Sequence, residues 1–249
     1  MRSGGGAWPP RHRCFAPRLG EYLARLKPAP LASLLARPAA LARAFRRASE
    51  LLELEVECLD VPASWILHSA GWPATVGEHG IELGPASAEL RAPIETVGNG
   101  PLLAVQEALR ALPPLATTPA TLLALPSPTK LAQAAGEGKA NWARAALQAF
   151  VRSVGELDLL AGVMLDGDDG LAALGPLLDH YRLTPVCIRR PSDTRLLPPG
   201  VMAARALPIE AIMVSAPGEA DSLVTTDGPV SPLVAPEELL RASRAVATG

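Results

Sequence analysis

A short apolar run that breaks abruptly into carboxylates, at residues 161–170 (AGVMLDGDDG), constrains the fold of this chain more than any other stretch. Nearly every residue of the run is apolar, so the strand that it predicts is buried on both faces, as in a parallel sheet covered by helices. Three carboxylates, those of Asp166, Asp168 and Asp169, follow where the strand ends. Because ligands bind at the carboxyl ends of strands in α/β barrels and open α/β sheets, this strand end is a candidate site.

Other parts of the chain repeat this alternation of helix and short apolar strand. Strands are predicted near residues 13, 56, 82 or 95, 122, 162, 185, 210 and 223, which makes eight when the weak third strand is counted. Amphipathic helices are predicted between most of them, for example over residues 38–54 and 141–154, where apolar residues recur at steps of three and four. This alternation predicts parallel strands with right-handed crossovers.

The length of the chain favours a closed barrel over an open sheet. At 249 residues, of which 49% are hydrophobic, the chain can form one large core, and this is the usual length of a (β/α)8 barrel. We therefore predict an α/β fold, a compact and somewhat shortened TIM-type (β/α)8 barrel over residues 13–249. A loosely attached N-terminal tail is expected over residues 1–12.

Charge and cysteine content argue against several classes of function. The net charge is −2 and no basic stripe is present, so nucleic-acid binding is not expected. The three cysteines are widely spaced with no CxxC pair, which predicts neither a disulfide framework nor a zinc knuckle and fits a reducing cytoplasm. No run is apolar over the length of a signal peptide or a membrane span, so no membrane association is expected.

Polar side chains gather at the predicted strand ends. If the strands form a barrel, one rim carries Arg18, Asp60, Ser127, Asp166, Asp168, Arg189, Arg190, Ser215 and Asp227. Guanidinium groups bind carboxylates through two hydrogen bonds and aspartates accept them from N–H groups, so this mixture suits an anionic ligand that also carries donors. The alternative interpretation is that DGDDG (166–170) and TTDG (225–228) are ordinary turns, since Asp and Gly favour turns by themselves.

The histidines, cysteines and glycines give no comparable signal. His68 and His79 have no metal-ligand partner at i+2 or i+4, and Cys58 and Cys187 fall within apolar strands, where a buried thiol is the default. No GxxxxGK[ST] or GxGxxG segment lies between a strand and a helix, so no phosphate-binding loop is predicted. We expect no metal site.

Five stretches resemble the uroporphyrinogen decarboxylase family, which shares a superfamily with cobalamin-independent methionine synthase and the corrinoid methyltransferases. They are FAPRLGEYLARL (15–26), ARAFRRASELLELEVECLD (42–60), LLALPSPTKLAQ (122–133), LDLLAGVMLDGDD (157–169) and SLVTTDGPVSPLVAPEELLRA (222–242). They follow the order of the family from the segment after the first strand to the GxP turn and the closing helix. The resemblance implies a TIM-type barrel with its site at the carboxyl ends of the strands.

The resemblance also implies roles for individual residues. Asp60 matches the aspartate that binds pyrrole N–H groups in the decarboxylases, and Arg18 is what remains of their arginine-bearing MRQAGRYL-type segment. Asp227 stands where the family has the histidine of an LGHG-type turn. The methyltransferases hold zinc with a His-x-Cys pair and a later cysteine; here Arg189 and Pro191 match the pair, which disfavours zinc-dependent thiol methylation and suits an anion.

Three functions follow as hypotheses. The first is a decarboxylase-like enzyme that acts without metal or cofactor on an anionic or polycarboxylated substrate. It would use catalytic Asp60, Asp166 and Asp227, and substrate-binding Arg18, Ser127, Asp168, Arg189, Arg190 and Ser215. The second is a methyltransferase with a corrinoid or folate-like donor and a non-thiol acceptor. The third is a non-catalytic barrel that binds a ligand or a partner, and assembly as a homodimer or with a partner protein is left open.

Overall fold

The structure, a computed structural model, describes residues 8, 10, 13–26, 29–85, 89–112, 119–190, 192–193, 197–214 and 223–248. At residues 168, 213, 214 and 248 it describes the backbone but not the side chain. The N-terminal tail predicted over residues 1–12 lies outside the described residues apart from Trp8 and Pro10.

Parallel strands form one sheet that curves round on itself. The strands are β1 (Cys14–Phe15), β2 (Val56–Asp60), β5 (Ala120–Pro126), β6 (Gly162–Asp166), β7 (Thr184–Arg189), β8 (Met202–Leu207) and β9 (Leu223–Thr226), while β3 (Ala74–Val76) and β4 (Ile81–Leu83) form a separate antiparallel hairpin. The order in the sheet is β1-β9-β8-β7-β6-β5-β2. A parallel bridge between Arg18 and Cys58 brings its two ends together. The predicted TIM-type barrel is confirmed, with seven barrel strands among the described residues.

Helices surround the sheet. They are a 3-10 helix (Gly20–Tyr22), α1 (Leu23–Leu26), α2 (Leu31–Leu35), α3 (Pro38–Leu51), α4 (Ala63–Ser69), α5 (Pro93–Val97), α6 (Gly100–Arg110), α7 (Pro128–Ala135), α8 (Ala140–Gly155), α9 (Asp168–His180), α10 (Ile209–Val214) and α11 (Pro236–Thr248). The amphipathic helices predicted over residues 38–54 and 141–154 are confirmed as α3 and α8, and their apolar faces are buried. None of the described helices combines the length and the hydrophobicity needed to cross a bilayer.

The prediction of a third barrel strand near residue 82 or 95 was wrong, because neither segment joins the barrel. β2 pairs directly with β5, with Val56 beside Ala120. The segment near residue 82 forms the hairpin β3–β4, and the segment near residue 95 lies in α5, which begins at Pro93. A proline at the first helical position fixes φ in the helical range and sacrifices only an N–H group that would have no partner, so it favours the helix. The barrel therefore passes from its second strand to β5 without an intervening strand.

The prediction of a strand near residue 210 was also wrong. Residues 209–214 form α10, and the strand beside β7 is β8, with Ala203 paired to Cys187. A short apolar run such as IEAIMV (209–214) fits a helix as well as a strand, so its pattern did not decide between them. β8 (MAARAL) escaped prediction because it is rich in alanine, which has low strand propensity.

Small side chains fill the lumen of the barrel. Alternate strand residues point inward, and this inward set is rich in alanine and includes two cysteines: Cys14, Ala16, Val56, Cys58, Ala120, Leu122, Ala124, Ala161, Met164, Val186, Ile188, Ala204, Ala206 and Leu223. Barrel diameter falls with strand number, so seven strands leave less room than eight. The larger Leu, Phe and Trp side chains pack between the strands and the helices. The three cysteines are buried and form no disulfide.

A buried polar cluster fixes α3 on the outside of β2. The carboxylate of Glu57 is inaccessible to solvent and accepts hydrogen bonds from the Ser49 and Thr121 hydroxyls. The Arg46 guanidinium lies 3.2 Å from the same carboxylate. Burial raises the pKa of Glu57, and the hydroxyl donors and Arg46 oppose that rise. Glu57 is thus satisfied on the face of β2 that points away from the lumen.

We expect Ala204→Leu to lower the free energy of unfolding by about 1–3 kcal/mol, because the added carbons must enter a lumen that seven strands already fill. Ala134→Leu adds the same atoms to an exposed position of α7 and should change stability by less than about 0.5 kcal/mol. Urea unfolding of both variants measures the difference. Equal effects would contradict a tightly packed lumen.

Candidate functional site

Four charged side chains lie at the carboxyl mouth of the barrel. They continue the pattern in which every second strand residue points into the lumen. Arg18, Asp60, Asp166 and Arg190 each follow by two positions the last lumen residue of β1, β2, β6 and β7. Inward-pointing residues at this level therefore change from apolar to charged. Because the strands are parallel, all four side chains belong to one end of the barrel.

The innermost contact is the ion pair between Arg18 and Asp60. Arg18 Nε donates to Asp60 Oδ1 at 2.7 Å, and Arg18 Nη2 lies 2.6 Å from the same oxygen. The side chains are 6% and 0% exposed, so the pair is removed from solvent. Gly20 permits this packing, because a Cβ at that position would lie 2.8 Å from the Asp60 carbonyl oxygen.

Burial and the ion pair with Arg18 change the pKa of Asp60 in opposite directions. Burial raises the pKa of the Asp60 carboxyl, and the Arg18 guanidinium opposes that rise through its charge and its hydrogen bond. Arginine remains protonated in proteins and favours the ionised carboxylate beside it. Asp60 Oδ2 is buried and accepts no hydrogen bond from the described residues. One oxygen of Asp60 thus holds Arg18 while the other is unsatisfied.

Three cationic side chains lie within 4 Å of the Asp166 carboxylate. The Lys130 ammonium contacts Oδ2, Arg190 Nη2 lies 3.5 Å from Oδ1, and Arg18 Nη1 lies 3.9 Å from Oδ2. Asp166 is only 8% exposed, whereas Lys130 and Arg190 are 46% and 47% exposed. Charges of alternating sign therefore run from buried Asp60 through Arg18 and Asp166 to two cations at the surface. We call these five residues the mouth cluster.

Lys130 is a member of the mouth cluster that the sequence analysis missed. It lies in the first turn of α7, where its backbone N–H donates to the Ser127 hydroxyl at 3.2 Å. Lys130 is one of three lysines in the chain. The signal that could have found it is positional, because the first turn of a helix that follows a barrel strand lies at the carboxyl mouth.

Ser127 and Asp169 join two helix starts at the rim. Ser127 caps α7, and the Asp169 carboxylate accepts a hydrogen bond from the Thr129 N–H at 2.9 Å. Burial raises the pKa of Asp169, but the hydrogen bonds from Thr129 and Ser127 outweigh it and hold the pKa below its ordinary value. The hydroxyl that was predicted to bind substrate is therefore engaged with the protein.

Two of the remaining predicted site residues, Arg189 and Asp227, lie outside the mouth cluster. Arg189 lies on the face of β7 away from the lumen, and its guanidinium contacts the Asp193 carbonyl. Asp227 is exposed beyond β9, and its backbone N–H donates to the Leu207 carbonyl. Ser215 lies outside the described residues, as does the side chain of Asp168.

The chemistry of the mouth cluster suits an anion. Within the part of the chain that the structure describes, no three His, Cys, Asp or Glu side chains are grouped to hold a metal ion. In the mouth cluster three cations stand against two carboxylates, and the two exposed members are both cations. The absence of a metal site stays a prediction, since residues 191 and 215–222 are not described.

Glu21 fixes the hairpin β3–β4 beside the barrel. Its carboxylate accepts hydrogen bonds from Trp65 Nε1 and from the Ile81 N–H, each at 3.2 Å. Burial raises the pKa of Glu21, and these two hydrogen bonds oppose the rise. Gly80 allows the close approach, because a Cβ there would lie 2.9 Å from Glu21 Oε2.

Removal of Arg18 should be far more damaging than removal of a surface arginine. We expect Arg18→Leu to lower the free energy of unfolding by about 3–5 kcal/mol, because it leaves the Asp60 carboxylate buried and unpaired. Arg244→Leu breaks the exposed Arg244–Glu53 pair and should have a much smaller effect. Arg18→Leu/Asp60→Leu should recover much of the loss. Chemical unfolding compares the variants, and equal effects of Arg18→Leu and Arg244→Leu would contradict a buried pair.

The raised pKa of Glu21 predicts a pH-dependent stability. The ordinary pKa of a glutamate is 4.5. As the pH rises above 4.5, the unfolded chain loses the Glu21 proton before the folded chain does, so the free energy of unfolding falls. Glu21→Gln should therefore gain stability relative to the native chain as the pH rises above 4.5. Glu53→Gln should show the opposite trend, because the pKa of Glu53 is lowered. Unfolding curves across this pH range test both signs.

Comparison with known proteins supports the fold. No family model matches the chain, and no curated protein matches it. Among solved structures, a methyltransferase from Methanosarcina mazei is similar, with a TM-score of 0.69 over 94% of this chain and 92% of that chain, at 11% sequence identity. At this identity the likeness shows a common barrel fold. The uroporphyrinogen decarboxylase family itself finds no support in these comparisons.

Proposed function

We propose that the chain is a barrel methyltransferase that binds a small anionic, non-thiol acceptor at the mouth cluster. The observation that carries the proposal is the convergence of half-exposed Lys130 and Arg190 on one buried carboxylate. The mouth cluster lies at the carboxyl end of the strands, where barrel enzymes carry out catalysis. The fold likeness to a methyltransferase supports methyl transfer as the reaction class.

Lys130 and Arg190 are the residues that would hold the anionic group. They contact different oxygens of the Asp166 carboxylate, so their spacing already suits a carboxylate or a phosphate between them. An ammonium carries three donors and a guanidinium five, so both retain donors for a ligand. Arg18 is buried and paired with Asp60, and its role is to position Asp166 from below.

Asp166 is the residue that would take up the acceptor's proton. When an amine or hydroxyl acquires a methyl group, a bond from its lone pair to carbon forms, the bond from carbon to the donor breaks, and the donor keeps that electron pair. The acceptor then loses its N–H or O–H proton to the Asp166 carboxylate, and Lys130 and Arg190 orient it for the transfer.

The donor in this proposal is a corrinoid or a folate-like molecule. Either would supply a methyl group that leaves without its bonding electrons. The mouth cluster contains no imidazole or thiol, so its residues fit the polar periphery of such a donor rather than direct ligation of cobalt. Charge and hydrogen bonding from Lys130 and Arg190 are what this chain would contribute to holding it.

Decarboxylation is a second candidate, favoured by one observation. Asp60 Oδ2 is buried without a hydrogen-bond partner among the described residues, as a carboxylate waiting for a substrate N–H would be. The arginines and the lysine of the mouth cluster would then hold carboxylates of the substrate. This role requires the substrate to reach a side chain that is 0% exposed behind Arg18.

The test is methyl transfer from methylcobalamin or methyltetrahydrofolate to small amines and alcohols that carry a carboxylate or a phosphate, followed by absorbance and product mass. Lys130→Ala and Arg190→Ala should each lower kcat/KM at least about tenfold through the lost charge contact. Arg47→Ala removes an exposed cation from α3 and should leave the rate unchanged.

Parallel measurement of carbon dioxide release from small polycarboxylates separates the two candidates. Release of carbon dioxide without methyl transfer would replace the first candidate by the second. Neither reaction, together with anion binding that is equal in native protein and Lys130→Ala, would contradict both and favour a non-catalytic barrel.

A further inference from the structure

Among the residues that the structure describes, the helical layer leaves the start of β7 and of β8 only partly covered. Among the described residues of 190–201, which connect these strands, none is helical. The outward-pointing Val163 and Leu165 of neighbouring β6 are fully buried, whereas Pro185 of β7 and Ala203 of β8 are only partly buried. The outward-pointing Cys187, further along β7, is buried, so it is the start of these two strands that the described residues leave without the usual cover of a parallel sheet.

A groove of about 640 Å³ lies in this gap. The helix α9 forms one wall and the loop before β8 forms the other. The groove is lined mainly by apolar residues, among them Leu171, Gly175, Leu183, Pro185, Leu197 and Val201. Pro198 and Pro199, which also line the groove, are exposed. The groove and two exposed apolar residues are therefore adjacent on the same chain.

Two opposite charges mark one end of the groove. Asp179 lies in the last turn of α9 and Arg182 follows the helix, and both side chains are exposed. They are three positions apart and make no ion pair with each other within the chain. The groove thus ends in a neighbouring anion and cation.

We propose that this groove is the interface between two copies of the chain related by a two-fold axis. In a two-fold contact a residue i that touches residue j of the partner is matched by j touching i. An adjacent Asp and Arg meet this requirement, since Asp179 of each copy would pair with Arg182 of the partner subunit. Pro198 and Pro199 of each copy would pack into the groove of the other and cover the start of β7 and of β8.

A charge exchange tests this pairing directly. Sedimentation velocity over a concentration series should show a dimer for the native chain. Asp179→Arg alone and Arg182→Asp alone should each raise the dimer dissociation constant at least about tenfold, because like charges then face each other. Asp179→Arg/Arg182→Asp restores opposite charges and should return the constant to within about threefold of the native value. The exchange Glu53→Arg/Arg244→Glu, at an exposed pair outside the groove, is the matched control and should leave dimerisation unchanged.

A second variant tests the groove itself without depending on charge. Gly175 has open space where its Cβ would be, so Gly175→Phe should fold normally and project into the groove of its own copy. It should convert the dimer to monomer while the melting temperature of the monomer is unchanged or raised, since glycine is unfavourable within a helix. A native chain that is monomeric at about 100 µM would overturn the proposal. A dimer that survives Gly175→Phe, or one that the double charge exchange does not restore, would also overturn it.

Discussion

The ion pair between Arg18 and Asp60 is the interaction on which the arrangement of this barrel depends. β1 has two residues and β2 has five, and the bridge between Arg18 and Cys58 is the point at which the two ends of the sheet meet. At that point Arg18 donates to Asp60, which ends β2. A buried charge pair of this kind stabilises little relative to apolar packing, but the loss of one partner is severe. The pair therefore specifies where the sheet closes.

Closure with seven strands has consequences for both ends of the lumen. The narrower interior takes alanine and cysteine where a wider barrel would hold larger residues. At the mouth, the same narrowing brings charges from β1, β2, β6 and β7 close enough to form one connected cluster. The buried end of that cluster is fixed by the fold, and the outer end, Lys130 and Arg190, is half exposed. This gradient from a fixed interior to accessible cations is the reason for which we propose an anion site here.

Much of the fold could be predicted from the sequence, because periodicity and strand ends carry the information. Asp60 and Asp166 were predicted as polar residues at the ends of apolar strands. In each strand, the aspartate is the last of the alternate residues that point into the barrel. Arg189 was grouped with Arg190 because both follow the same strand, and the end of a strand does not show which side chain points into the barrel. Val186 and Ile188 point into the lumen, so the next residue of that face is Arg190. The third strand and the helix α10 could not be decided, because runs of three to six apolar residues suit either structure until their packing is known. Lys130 was missed because its part in the site arises from a tertiary contact between α7 and β6.

We infer that the mouth cluster binds an anion through Lys130. The chain has three lysines, Lys27, Lys130 and Lys139, so reductive 13C-methylation, which keeps the positive charge, gives a simple NMR spectrum in which each can be assigned by substitution. During titration with malonate or inorganic phosphate, we expect a saturable shift of the Lys130 resonance while those of Lys27 and Lys139 stay in place. Equal, non-saturating shifts of all three resonances, or no shift of Lys130, would contradict it.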